Sequence, residues 1–133
     1  AGRSKMKALV LRLMLAVAAT LGNPAAAGEA SDAIHAGSPE FIVAFNSGDS
    51  ARLASFYTTS TQLLPPGPEF IQGREAIAAF WQSAMDIGLK LTGLEPVEIV
   101  QAGDIATDVD VLHLSAPDGE GGTVALSDKY IVI

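Results

Sequence analysis

The chain has 133 residues, 49% of them apolar, and sets 8 Lys and Arg against 15 Asp and Glu for a net charge of −7. That length holds one domain, and a charged fraction of only 17% argues against a disordered chain. With no cysteine, disulfides, thiolate nucleophiles and cysteine-based metal sites are excluded.

The charge is segregated. Residues 1–27 carry Arg3, Lys5, Lys7 and Arg12 and no acid, whereas residues 28–133 carry four scattered cations and all fifteen acids. So acidic a body repels phosphate backbones and anionic lipid surfaces. Nucleic acid is therefore not an expected partner, nor is a membrane once a leader has been removed.

The first segment reads as that leader. Met6-Lys7 looks like a translation start, preceded by Ala1–Lys5, and the apolar run Leu13–Leu21 ends in Asn23-Pro24 and the small residues Ala25-Ala26-Ala27. A basic start, a short apolar middle and a small-residue end are the parts of a secretory signal peptide. The apolar run is too short for the roughly 20 residues that span a bilayer. An N-terminal helix packed in the core is the competing reading. On the first, residues 1–27 are removed and the domain works outside the cytoplasm, periplasmic or secreted.

Gly28–Gly37 is small and polar and reads as a mobile lead-in. Ser38-Pro39-Glu40 has the form of a helix start, with Phe41, Ile42 and Phe45 as its apolar stripe and Gly48 as its stop. Asp49 or Ser50 can cap a second short helix carrying Leu53, Phe56 and Tyr57. Thr61–Leu64 and Glu69–Gln72 are short strands about the Pro65-Pro66-Gly67-Pro68 turn. From Gly73 to about Ile87, the residues Ile77, Phe80, Trp81, Ala84 and Met85 make one continuous helical face. Three longer strands follow at 89–102, 105–115 and 123–133, joined by Gly103-Asp104 and by the glycine-rich 117–122. The class is α+β: a strongly curved antiparallel sheet packed on about three helices. The chain stops mid-strand on Tyr130-Ile131-Val132-Ile133. A bare apolar edge invites pairing, so a further strand beyond Ile133 or a partner strand is expected to cover it.

Residues 38–133 resemble the nuclear-transport-factor-2-like superfamily, in particular its ketosteroid-isomerase-like and SnoaL-like (polyketide cyclase) small proteins. The resemblance rests on Asn46-Ser47-Gly48-Asp49, Tyr57, Leu64-Pro65-Pro66-Gly67, Gly73-Arg74-Glu75-Ala76-Ile77 and Asp128-Lys129-Tyr130, in that order. It implies a cone-shaped roll whose curved sheet encloses an apolar pocket, with a final strand that this sequence lacks. It also implies a homodimer through the open sheet face. In ketosteroid isomerase an Asp base abstracts the proton while a Tyr and a protonated Asp stabilise the enolate. Carried over, the base position falls near Pro65 and the Tyr position near Phe41, neither of which can act. Only Asp128 coincides, so standard steroid isomerisation is not expected.

The candidate site residues follow. Asp128 shares strand parity with Tyr130 and Val132 and faces the pocket if they do. Pairing Ala116 with Thr123 across the last hairpin sets Val111 opposite Asp128 and His113 opposite Leu126, which would let His113 relay protons to Asp128. A one-residue slip in that register would undo it. Tyr57, Trp81, Tyr130 and Val111 are the expected ligand-binding neighbours. Against each stands a blander reading: a solvated Asp128, a structural His113, a Tyr57 that packs its ring, a core Trp81. His35, Asp118 and Glu120 read as solvated. Asp104, Asp108 and Asp110 lack the glycine turn of a calcium loop, so they read as a solvated outer face. No phosphate loop, nucleophile elbow or zinc-binding helix motif occurs, and neither a cofactor nor a metal is expected. Two functions remain in view: a pocket for a small apolar molecule, with isomerase- or cyclase-like proton transfer, and a non-catalytic dimerisation or interaction module. A third is a fragment that does nothing for want of its last strand.

Overall fold

A computed structural model describes residues 24–133. The expected leader falls largely outside the described residues. Helix α1 runs Pro24–Asn46 and α2 Ser50–Ala54; a two-residue hairpin pairs β1 (Gln62–Leu63) with β2 (Ile71–Gln72). Helix α3 follows at Arg74–Asp86, then β3 (Lys90–Ala102), β4 (Ile105–Pro117) and β5 (Thr123–Val132), an antiparallel sheet in the order β3-β4-β5.

The lead-in is not mobile coil. Residues 28–37 belong to α1, and Ser38-Pro39 lies inside that helix instead of opening it. The reason is an apolar stripe that overrides the local breakers. Ile34, Gly37, Phe41 and Phe45 recur at three- and four-residue spacing and turn inward, while His35 and Pro39 stay exposed. Proline removes the donor that the His35 carbonyl would meet, but both residues lie on the wet side, where water can replace it. Ser38 spends its hydroxyl on the Ile34 carbonyl (3.1 Å).

The core forms where α1 and α2 meet the sheet: Ala44, Phe45, Leu53 and Leu91, with Phe41, Trp81, Leu94, Leu112 and Leu114 packed against them. Phe45 meets Trp81 edge-on at 5.9 Å, and Phe41 meets Phe56, Tyr57 and Trp81 in the same manner.

The Asn46-Ser47-Gly48-Asp49 segment has a mechanical explanation. Among the described residues β3 is an edge strand, so one side of it has no neighbour in the ladder. Asn46 fills that place at Leu91: its Nδ2 donates to the Leu91 carbonyl and its Oδ1 accepts from the Leu91 amide, both at 2.8 Å. Gly48 turns the chain at φ 76°, and Asp49 caps α2 by accepting from the Arg52 amide (3.0 Å). Asn46→Ala would leave both backbone groups of Leu91 unpaired beside the core. A loss of about 2 kcal/mol is expected from urea unfolding of this variant.

Candidate functional site

Strand register decides which side chains meet. Pro117 pairs with Thr123, and the five residues between them close on Asp118, whose amide donates to the Gly122 carbonyl and whose Oδ1 accepts from the Glu120 and Gly122 amides. The hairpin is therefore one residue out from the pairing expected from sequence. Leu112 stands opposite Asp128, and His113 stands opposite Ser127. His113 and Asp128 thus project from opposite faces of the sheet, and the expected relay between them does not form.

The inner face, toward the helices, carries Leu114, Leu112, Asp110 and Asp108 along β4, with Leu91, Leu94, Pro96 and Ile99 beside them on β3. Asp108 and Asp110 are not the solvated pair expected. They are 6% and 1% exposed, because their strand parity is that of the core leucines. Tyr130 on β5 pairs with Asp110 and donates its hydroxyl to Asp110 Oδ2 at 2.6 Å. Asp128 does share the inner face with Tyr130, but it is exposed near the sheet edge and, among the described residues, accepts only from the Lys129 amide.

Burial pushes the Asp108 carboxyl up to about 6, helped by a hydrogen bond to Asp110 that favours the protonated acid and by the neighbouring Asp110 charge; the charge of His35 on α1 opposes this. The Tyr130 hydroxyl is held well above its ordinary value, by burial first and then by its bond to Asp110 and the two carboxylate charges. Tyr57 rises too, through burial, against a lowering effect of the Trp81 indole, which donates to its hydroxyl at 3.2 Å. Asp108 Oδ1, Asp110 Oδ1 and Gln101 Oε1 are buried without a hydrogen-bond partner among the described residues. Gln101 pairs with Ala106 across the ladder, which puts it on the same inner face, one step beyond Asp108.

A family model for the SnoaL-like domain matches residues 39–132. The chain belongs to that family. No curated protein matches it. Among solved structures, this SnoaL-like domain is similar to a ketosteroid isomerase-like protein from Erwinia carotovora atroseptica (20% identity, 68% of this chain and 72% of that one, TM-score 0.57). It is similar as well to an NTF2-like protein with a cystatin-like fold from Novosphingobium aromaticivorans (21%, 92% and 76%, TM-score 0.58). A third is SalBIII, described as an epoxide hydrolase/cyclase-like enzyme of pyran ring formation in salinomycin (18%, 70% and 73%, TM-score 0.53). At these identities the likeness establishes the fold, an NTF2-like arrangement with an open sheet, and leaves the chemistry to the residues.

Of the residues singled out from sequence, Tyr57, Trp81 and Tyr130 of the SnoaL-like domain belong to the inner side. Trp81 packs among Phe41, Phe45 and Phe80 and joins the site through its bond to Tyr57. Val111 does not belong there: it faces out with His113, between Glu95 and Lys129. On that outer face His113 Nδ1 lies 3.0 Å from Ser127 Oγ and Nε2 lies 3.0 Å from Glu95 Oε2, a chain of polar contacts across all three strands. From sequence, Asp108 and Asp110 read as a solvated outer face, and Gln101 is not singled out. The available signal was parity: Asp108 and Asp110 alternate in step with Leu112 and Leu114, which no solvated face would.

Proposed function

We propose that the inner face of the sheet binds a small, largely apolar molecule and that Asp108 moves a proton on it, in chemistry of the isomerase or cyclase kind. The observation that carries this is the pair itself: two carboxylates side by side and buried, one held by the Tyr130 hydroxyl at 2.6 Å, each with an oxygen that no other group among the described residues meets. A carboxyl near 6 exchanges protons readily at neutral pH, since a general base works best with a value close to the working pH. In this reading Asp108 takes and returns the proton. The neighbouring Asp110 helps Asp108 hold that proton, and Tyr130 positions Asp110. The aromatic side chains of Phe41, Tyr57 and Trp81 give the apolar body of the substrate a surface. Kinship to cyclase-like and isomerase-like proteins of the same fold supports the reaction class. The expected roles of Asp128 and His113 pass to Asp108 and Asp110.

The test uses a general-base probe, 5-nitrobenzisoxazole, from whose carbon a base removes a proton as the ring N–O bond breaks to give a coloured cyanophenolate. Catalysed elimination is expected to rise with pH to a plateau above about 6, as Asp108 ionises. Asp108→Asn should lower it about 100-fold, the usual yield of one positioned base. A rate unchanged by that substitution would end the proposal. The non-catalytic alternative, association of two copies through the outer face, draws on Val100 and Ile131, which are 48% and 63% exposed there.

A further inference from the structure

We infer that the outer face of the sheet carries a second site: Ser127 is a nucleophile, activated by His113 and positioned through Glu95, that takes the acyl group of a small activated ester. The site is independent of the inner-face reading, because all three side chains project from the opposite side of the sheet.

The three residues come from three strands and meet through register. His113 on β4 stands opposite Ser127 on β5, and its Nδ1 lies 3.0 Å from the Ser127 hydroxyl oxygen. On its other side His113 stands opposite Gly93 of β3. A Cβ at Gly93 would lie 3.6 Å from His113 Cδ2, so any longer side chain there would enter the path of the ring. Across that bare backbone Nε2 reaches Glu95 Oε2 at 3.0 Å, one same-face pair further along. The register shifts at Leu91/Gly93 and at Pro96/Glu98, on either side of Glu95. Bulges of this kind kink a strand and re-aim its side chains. The His113 and Glu95 side chains are 37% and 68% exposed, and Ser127 is exposed, so a substrate reaches all three from solvent.

The chemistry follows from the order of contacts. A carboxylate accepts hydrogen bonds and donates none, so Glu95 fixes the proton of a neutral His113 ring on Nε2. Nδ1 then turns its lone pair to Ser127, whose hydroxyl donates to it. A hydroxyl, a base and a group that orients the base, each within hydrogen-bond reach of the next, are the mark of an activated nucleophile. The ring is turned relative to the serine proteases, where serine meets Nε2, but the roles are the same. Ser127 Oγ attacks the ester carbonyl carbon as its proton passes to His113 Nδ1. Lys129, two residues along β5 on the same face and in no ion pair among the described residues, supplies positive charge for the developing oxyanion. The ester C–O bond breaks, the leaving oxygen takes the proton from Nδ1, and the acyl group stays on Ser127. Water, deprotonated by the same ring, later releases the acyl group as its acid and returns a proton to Ser127. Val111, between Glu95 and Lys129, and Ile131 beyond it give an apolar acyl or aryl group a surface.

The experiment follows release of 4-nitrophenolate from 4-nitrophenyl acetate by the intact protein, with peptide mapping of acid-quenched samples to locate the acetyl group. The acetyl group should map to Ser127. Ser127→Ala and His113→Gln should each slow the protein-dependent release at least about tenfold, and Lys129→Met should slow it several-fold. Glu95→Gln keeps an acceptor for Nε2 and loses the charge. It should lower kcat about tenfold and leave KM unchanged, the split expected of a positioning residue that meets no substrate. Circular dichroism of the four variants checks that they fold. Release that survives Ser127→Ala overturns the inference, since His113 or a lysine then acts alone. Acetyl found on Lys90 or Lys129 and absent from Ser127 overturns it as well, and so does a Glu95→Gln protein with unchanged kcat.

Discussion

Phe45→Ala is expected to remove about 3–5 kcal/mol of stability, the range for deleting a buried aromatic ring from a packed interior. Phe45 is 2% exposed and sits where four elements converge: α1 carries it, Leu53 of α2 and Leu91 of β3 complete its cluster, and Trp81 of α3 meets it edge-on. The neighbours cannot collapse into the space. Asn46, the next residue, is tied to both backbone groups of Leu91, so helix and strand are held at a fixed separation. The cavity therefore persists, and its cost adds to the lost burial. Because single domains are stable by only about 5–15 kcal/mol, such a loss should bring the midpoint of urea unfolding close to zero denaturant. Phe70 gives the control. It is 67% exposed in the turn before β2, and Phe70→Ala should change stability by no more than about 0.5 kcal/mol. A Phe45→Ala protein as stable as its Phe70→Ala counterpart would refute this account of the core.

The parts of the molecule that sequence made legible are those in which one signal acts alone. Helix α3 carries an uninterrupted apolar face from Ile77 to Met85 and ends at Gly88, whose φ of 87° no other residue type adopts easily. The three long strands and their two turns stand within a few residues of their expected positions. Where signals compete, local reasoning chose the wrong one. Gly28, Gly37 and Pro39 argue against helix, yet the stripe of Ile34, Phe41 and Phe45 prevails, because tertiary burial outweighs propensity. The inner site failed for a sharper reason. A one-residue error across the 118–122 turn exchanges every partner of β5, and it took Asp110 away from Tyr130 and gave His113 a false neighbour. An acid pair on a strand then looks solvated by default. Only its shared parity with Leu112 and Leu114 says otherwise, and that clue has force once the leucines are known to face the core.

Asp108→Asn should stabilise the protein at neutral pH while impairing its proposed chemistry, and the size of the gain should depend on pH in a defined direction. The folded chain holds the Asp108 proton more tightly than the unfolded chain does, with the carboxyl moved from 3.8 to about 6. Below the ordinary value both forms are protonated, and Asp108 then costs nothing in charge. As pH rises through 4 to 6 the unfolded chain gives up its proton first, so stability falls; above about 6 both are ionised and the loss is complete. At about 1.4 kcal/mol for each pH unit of that separation, the loss amounts to about 3 kcal/mol. Asparagine does not titrate, so the stability of Asp108→Asn minus that of the natural chain should grow by about 3 kcal/mol between pH 3 and pH 7.5 in urea unfolding. Subtracting the two proteins cancels the contribution of the acids remote from Asp108. A difference independent of pH would mean that Asp108 ionises as freely folded as unfolded, and the case for it as a proton carrier would go with it.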